Sequence, residues 1–140
     1  MNKKSLFIEN KSIKNIFEEA VSKYKDSPFL AYPKTNQNSR PIFYTYSEVN
    51  RIINNFIVYF KKVKLQPKER VCVAVGNIPE YFIIKLALNF IGISCVPINY
   101  ELSKDEISYI IKHSESKLII TNQFNKKKID QAIDLNNLKI

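Results

Sequence analysis

From Ser12 onward the apolar residues Ile13, Ile16, Phe17, Ala20, Val21 and Tyr24 recur at i, i+3, i+4, i+7, i+8 and i+11, the repeat of a helix with one apolar stripe. A first helix is expected there, with that stripe turned inward. Two short aromatic and aliphatic runs follow, "FLAYP" and "PIFYTY", separated by the polar "KTNQNSR". This predicts a strand pair around an exposed loop bracketed by Pro33 and Pro41. Thr45 and Glu48 stand at capping-box spacing ahead of Val49, Ile52, Ile53, Phe56, Phe60 and Val63, which continue one helical face and predict a second, longer helix.

After the turn sequence "LQPKER", "VCVAV" is a continuous apolar run, the mark of a strand covered on both faces and placed centrally in its sheet. "GNIPE" predicts a strand exit at Gly76, an N-cap at Asn77 and Pro79 in the first helical turn, where its missing N–H goes unused. This third helix runs to about Ile91 and is ended by Gly92. "SCVPI" is a fourth strand. Ser103 and Glu106 repeat the capping box, Ile107, Ile110 and Ile111 give the next helix its inward side, and Lys112 and His113 suit its C-terminal dipole. "KLIIT" is a fifth strand, and Ile129, Ala132 and Ile133 mark a last helix. Alternating strands and helices mean an α/β fold with right-handed crossovers and a mostly parallel sheet. Residues 1–11 are expected to form a flexible N-terminus. The ending "LNNLKI" falls where another strand would begin, which would leave a parallel edge open to pairing.

Composition narrows the partners. The 140 residues are 45% hydrophobic and 25% charged, with eight Tyr and nine Phe, enough apolar surface for a buried core. A net charge of +9 invites a nucleic-acid reading. Of the 22 basic residues, however, only Arg40, Arg51 and Arg70 are arginines, so the planar fork that reads phosphate and guanine is scarce. No nucleic-acid partner is expected. Cys72 and Cys95 lie in apolar stretches without a C-x-x-C pair, and "MNKKSLFIENK" offers no apolar signal region; a reduced, cytoplasmic chain is expected. The most apolar stretch, 81–93, is interrupted by Lys85 and Asn89. It is too short to span a bilayer and reads as a buried helix, so no transmembrane segment is expected.

Chemistry-bearing residues are sparse. With two glycines in the whole chain, Gly76 opens a helix without a G-x-G-x-x-G or G-x-x-x-x-G-K-[ST] context, and reads as a strand exit rather than a phosphate site. His113 is the single histidine, with no partner at ligand spacing for zinc, and reads as a solvent-facing helix end. Glu101, Asp105 and Glu106 suggest acid–base or Mg²⁺ chemistry, but Asp105 and Glu106 fall in a first turn where negative charge favours the helix dipole. Lys126, Lys127 and Lys128 read as a solvated face, because Phe124 and Ile129 are too little for a membrane anchor.

Taken in order, "YTYSEV" and a long helix followed by "QPKERVCVAVGNIPEYFIIKLALNFIGISCVPINYELSKDEISYIIKHSESKLIITN" resemble the N-terminal region of the AMP-forming acyl-CoA synthetases of the adenylate-forming superfamily. Thr45, Tyr46, Glu48, Pro67, Arg70, Val71, Asn77, Glu80, Gly92, Val96, Pro97, Asn99, Glu106 and Thr121 fall on that family's pattern. One departure is local: where the family has glycine and aspartate before the third strand, this chain has Lys68 and Glu69. The resemblance implies that residues 12–140 are the N-terminal part of an incomplete AMP-binding large domain, with Pro97 and Asn99 as the family-like positions nearest a cleft. It further implies that the full-length family uses ATP, Mg²⁺ and coenzyme A to activate a carboxylate and pass it to a thiol. The family's phosphate loop, ribose aspartate and catalytic lysine match no stretch of this chain. No catalytic, cofactor-binding or metal residue is therefore assigned within it, and no cofactor is expected for this chain alone. The implied partner is the remainder of the ligase fold, in cis or in trans. A non-catalytic module docking with a separate chain is the alternative.

Overall fold

The structure is a computed structural model that describes residues 11–33 and 41–134. The sequence expectations for the first ten residues, for "KTNQNSR" and for "LNNLKI" fall outside the described residues. In chain order the elements are α1 (Ile13–Tyr24), β1 (Pro28–Tyr32), β2 (Ile42–Thr45), α2 (Tyr46–Lys62), β3 (Arg70–Ala74), α3 (Pro79–Phe90), β4 (Ser94–Pro97), α4 (Lys104–Ser114), β5 (Leu118–Thr121) and α5 (Lys126–Asp134).

β3 runs between β4 and β5, parallel to both, with Val71 opposite Cys95 on one side and Leu118 on the other. The predicted strand pair is a separate antiparallel hairpin of β1 and β2. Alternation along β3 builds both cores. Val71, Val73 and Val75 face a layer that includes Phe17, Val49, Ile53, Phe60, Ile83 and Leu88. Cys72 and Ala74 face Ile107, Ile111, Ile129 and Ala132 of α4 and α5. The central strand is thus covered on both faces, which is why its sequence is apolar at every position after Arg70.

Local capping agrees with the sequence at two helices. The Thr45 hydroxyl accepts from the Glu48 N–H (3.2 Å), while Glu48 Oε2 accepts from the Thr45 N–H (2.8 Å). Ser103 and Glu106 repeat the arrangement at 3.3 and 2.8 Å. α3 differs from expectation. Its N-cap is Ile78 with no side-chain cap bond, and Asn77 is an exposed residue before it. The half-buried Ile78 side chain packs against the larger core, and Pro79 already removes one orphan N–H from the first turn.

α1 also departs from its expected burial. Phe17 is buried against Phe29, Tyr46 and Phe90, yet Ile13 is 58% exposed and Tyr24 43%. The stripe is helical as predicted, but α1 lies at the periphery and only its middle turn is covered. Val63, expected inward, follows the end of α2 and is exposed.

The "LQPKER" turn forms without glycine. The Glu69 N–H donates to the Gln66 carbonyl (3.2 Å) and Lys68 takes φ +74°, the conformation required at the third residue of a type II turn. Glu69 Oε2 accepts from the Gln66 N–H (2.7 Å), and the Lys68 N–H donates to the Gly92 carbonyl (2.7 Å).

Candidate functional site

Open parallel sheets offer ligands the crevice beyond the carboxyl ends of their strands. Here the exits of β3 and β4 frame a shallow cleft of about 290 Å³, lined by Gly76, Asn77, Tyr81, Pro97, Asn99 and Tyr100 among others. Gly76 turns the chain away from β3 at φ +80°, and a Cβ there would sit 3.3 Å from the Tyr100 ring. Its missing side chain lets that ring lie across the strand exit.

The cleft has little means of holding phosphate. Pro79 supplies no N–H to the α3 terminus, the Tyr81 N–H is already donated to the Ile78 carbonyl (3.0 Å), and Glu80 sets a carboxylate in the first turn. Each of these weakens an anion site. Asn99 is occupied structurally: its Oδ1 accepts from the Glu101 N–H (3.0 Å), an Asx turn leading toward α4. Burial pushes the Tyr81 phenol up, with the neighbouring Cys95 adding to it. Burial also raises the Cys95 thiol, an effect larger than the opposing pull of Lys85. Cys95 is thereby kept as a neutral thiol and a poor nucleophile.

Beside the cleft, the β5 exit is tied to β3 by a group of polar side chains. Thr121 Oγ1 donates to the Ala74 carbonyl (3.2 Å), Asn122 Nδ2 to the Val75 carbonyl (3.0 Å) and the buried Asn125 Nδ2 to the Ala74 carbonyl (3.1 Å). Asn122 and Asn125 escaped the sequence reading. Two asparagines between a strand and a helix, residue types that hydrogen-bond nearby backbone, were the available signal.

The remaining candidates are scattered. His113 is exposed and stacks on Tyr109, centroids 5.4 Å apart and rings 7° from parallel. Glu106 is engaged in its capping box, and Asp105 lies in the same first turn. Lys126 pairs with Asp130 (2.7 Å). Lys128 departs from the expected solvated face: it is half-buried, and its Nζ donates to the Tyr100 carbonyl (2.7 Å), tying α5 to the rim of the cleft. Cys72 is fully buried; its sulfur lies 3.2 Å from Ser116 Oγ and 3.6 Å from Ser114 Oγ, at the opposite end of the sheet. Among the described residues no three His, Cys, Asp or Glu side chains converge as a metal site, and no helix is long and apolar enough to cross a membrane.

Comparison with known proteins gives this arrangement a family. The profile of the AMP-binding enzyme family matches residues 17–139. Long chain acyl-CoA synthetase 4 of Arabidopsis thaliana is 27% identical over 119 residues, covering 84% of this chain and 17% of that protein. A crotonobetaine/carnitine–CoA ligase of Citrobacter koseri is 24% identical over 115 residues, covering 82% and 22%. The chain thus spans about a fifth of the length of these curated relatives. Among solved structures, a benzoate CoA ligase from Burkholderia xenovorans superposes with a TM-score of 0.74 at 17% identity, over 85% of this chain and 23% of that one. The Klebsiella oxytoca NpsA N-terminal subdomain gives 0.69 at 23% identity, over 81% and 28%. With a profile match over most of its length and the same α/β arrangement in these structures, the chain belongs to the AMP-binding enzyme family.

Proposed function

We propose that residues 12–140 supply the N-terminal part of the large domain of an AMP-forming acyl-CoA ligase, and that this chain alone does not activate a carboxylate. The observation that carries this reading is a family match over residues 17–139 combined with coverage of only about a fifth of the relatives' length. In the reaction implied by the resemblance, a carboxylate oxygen attacks the α-phosphorus of ATP and pyrophosphate leaves. The thiol of coenzyme A then attacks the acyl carbonyl and AMP leaves. Both steps require donors aimed at developing phosphate and oxyanion charge, with Mg²⁺ on the phosphates. The cleft of this chain is lined mainly by aromatic, proline and amide side chains. Its residues build a wall of the fold, and the groups for phosphate and adenylate belong to the remainder of the fold, in cis or in trans. A cytoplasmic location goes with this reading, as does the absence of a nucleic-acid partner.

The test is ATP–pyrophosphate exchange by the purified chain with Mg²⁺ and a panel of aliphatic and aromatic carboxylates. Exchange at the level of the protein-free blank is expected. Carboxylate-dependent exchange that disappears on chelating Mg²⁺ would overturn the proposal.

A further inference from the structure

Lys128 stands apart from its two neighbours in the lysine run. Lys126 pairs with Asp130 one turn along α5 (2.7 Å), and Lys127 is exposed. Lys128 is half-buried and reaches out of its own helix, its Nζ donating to the Tyr100 carbonyl (2.7 Å), 28 positions earlier in the chain. The Ser103 hydroxyl and N–H hold the Glu106 carboxyl below its ordinary value, and the Lys128 charge adds to them. The ammonium therefore faces both the β4–α4 connection and the start of α4. Such a lysine has given up hydration and side-chain freedom for a fixed place.

The carbonyl it holds lies at the centre of a tight turn. The Leu102 N–H donates to the Asn99 carbonyl (3.3 Å), so the peptide joining Tyr100 to Glu101 is the middle one of a four-residue turn, the unit whose flip separates type I from type II. Both of its ends are tied by side chains: the Glu101 N–H donates to Asn99 Oδ1 (3.0 Å), and the Tyr100 carbonyl accepts from Lys128. The backbone at Tyr100 is left one orientation, which delivers the ring across the β3 exit, its Cε1 3.3 Å from where a Gly76 Cβ would stand. With the ring there, the cleft measures about 290 Å³ and is walled by the rings of Tyr81, Pro97 and Tyr100. Small-molecule sites run from about 300 to 1,000 Å³, so this one is at the small end.

We infer that Tyr100 is the residue that sets the size of the cleft, limiting it to a single apolar ring, and that Lys128 is the positioning residue that holds Tyr100 in place. The ring packs against Gly76 only while the turn keeps its orientation, and the Lys128 bond fixes that orientation from α5. Neither role depends on the ligase reading.

Proton NMR of the 140-residue chain tests both roles. In the parent chain the Gly76 α-protons are expected to be displaced by the ring current of Tyr100, and Tyr100→Ala, by abolishing that displacement, assigns it. Lys128→Met should lose it as well, whereas Lys128→Arg, which keeps a donor, should retain it. Cleft size is read by titrating two apolar alcohols of different girth. Benzyl alcohol should move the Asn77 and Tyr81 amides of the parent chain and 1-adamantanol should not; both should do so in Tyr100→Ala and Lys128→Met. Unchanged Cys72 and Val73 amides certify an intact sheet in each variant, and Lys128→Ala replaces Lys128→Met should the latter not fold. A Gly76 displacement that survives in Lys128→Met, or is lost in Lys128→Arg, overturns the role of Lys128. Entry of 1-adamantanol into the parent cleft, or of neither alcohol, overturns the role of Tyr100. No ATP enters these readouts, so their failure is separable from an unexpected result in the pyrophosphate-exchange assay.

Discussion

Lys68 holds a backbone conformation that the family pattern gives to glycine. A side chain at φ +74° is strained by the approach of its Cβ to the backbone, by about 1 kcal/mol; glycine relieves this but gives the unfolded chain more freedom to lose. Lys68→Gly is therefore expected to raise stability by about 0.5 kcal/mol, read as a higher urea midpoint at unchanged slope. Gly76 is the reverse case. Gly76→Ala adds a Cβ at φ +80° and 3.3 Å from the Tyr100 ring, so a loss of about 1–3 kcal/mol is expected, with altered tyrosine fluorescence if the Tyr100 ring is displaced. The two positions also mark what the sequence reveals at this scale. Gly76 was legible as a strand exit because glycine advertises a left-handed turn. Lys68 was not, because nothing about a lysine does, and only its place in the family pattern drew the eye there.

At the scale of elements, the capping boxes make acid stability readable. The Thr45 N–H, and after it the Thr45 hydroxyl, hold the Glu48 carboxyl below its ordinary value. The Ser103 hydroxyl, and after it the Ser103 N–H, do the same for Glu106. A carboxylate with a depressed folded-state pKa stabilises fully above its unfolded value, and that contribution is lost as pH falls through the folded one. Urea midpoints should decline from about pH 5 downward. The double variant Glu48→Gln, Glu106→Gln should show a shallower decline; an acid limb identical to that of the parent chain would contradict the assignment. These boxes were visible in the sequence because both partners lie within one turn. The error at Asn77 arose because a cap depends on where the backbone becomes extended, and Ile78 takes that place to reach the core. The overestimate of α1 has a similar origin: periodicity shows which face is apolar and says nothing about how much of it another element covers.

For the molecule as a whole, the two cores share β3, so damage to either should unfold both. Ile83 and Ile107 are at most 1% exposed and lie on opposite faces. Replacing either with alanine should lower stability by about 2–4 kcal/mol. Each variant should still give coincident transitions by circular dichroism and tyrosine fluorescence. Separate transitions would mean that the layers are independent. The α/β class and the central place of β3 were legible from alternation and from the unbroken apolar run. Strand order was not, because a four-residue apolar strand looks alike at an edge or beside a partner, and so the two sheet edges could not be told apart. The candidate site was legible only as far as Pro97 and Asn99; Tyr81 and Tyr100 meet there through packing that no local spacing encodes. The order β4-β3-β5 also bears on synthesis. The central strand leaves the ribosome first, yet Val71 finds Leu118 only 47 positions later, after α3, β4 and α4 have all emerged. Until then β3 is a nascent strand with one bare side, a window in which aggregation competes with folding.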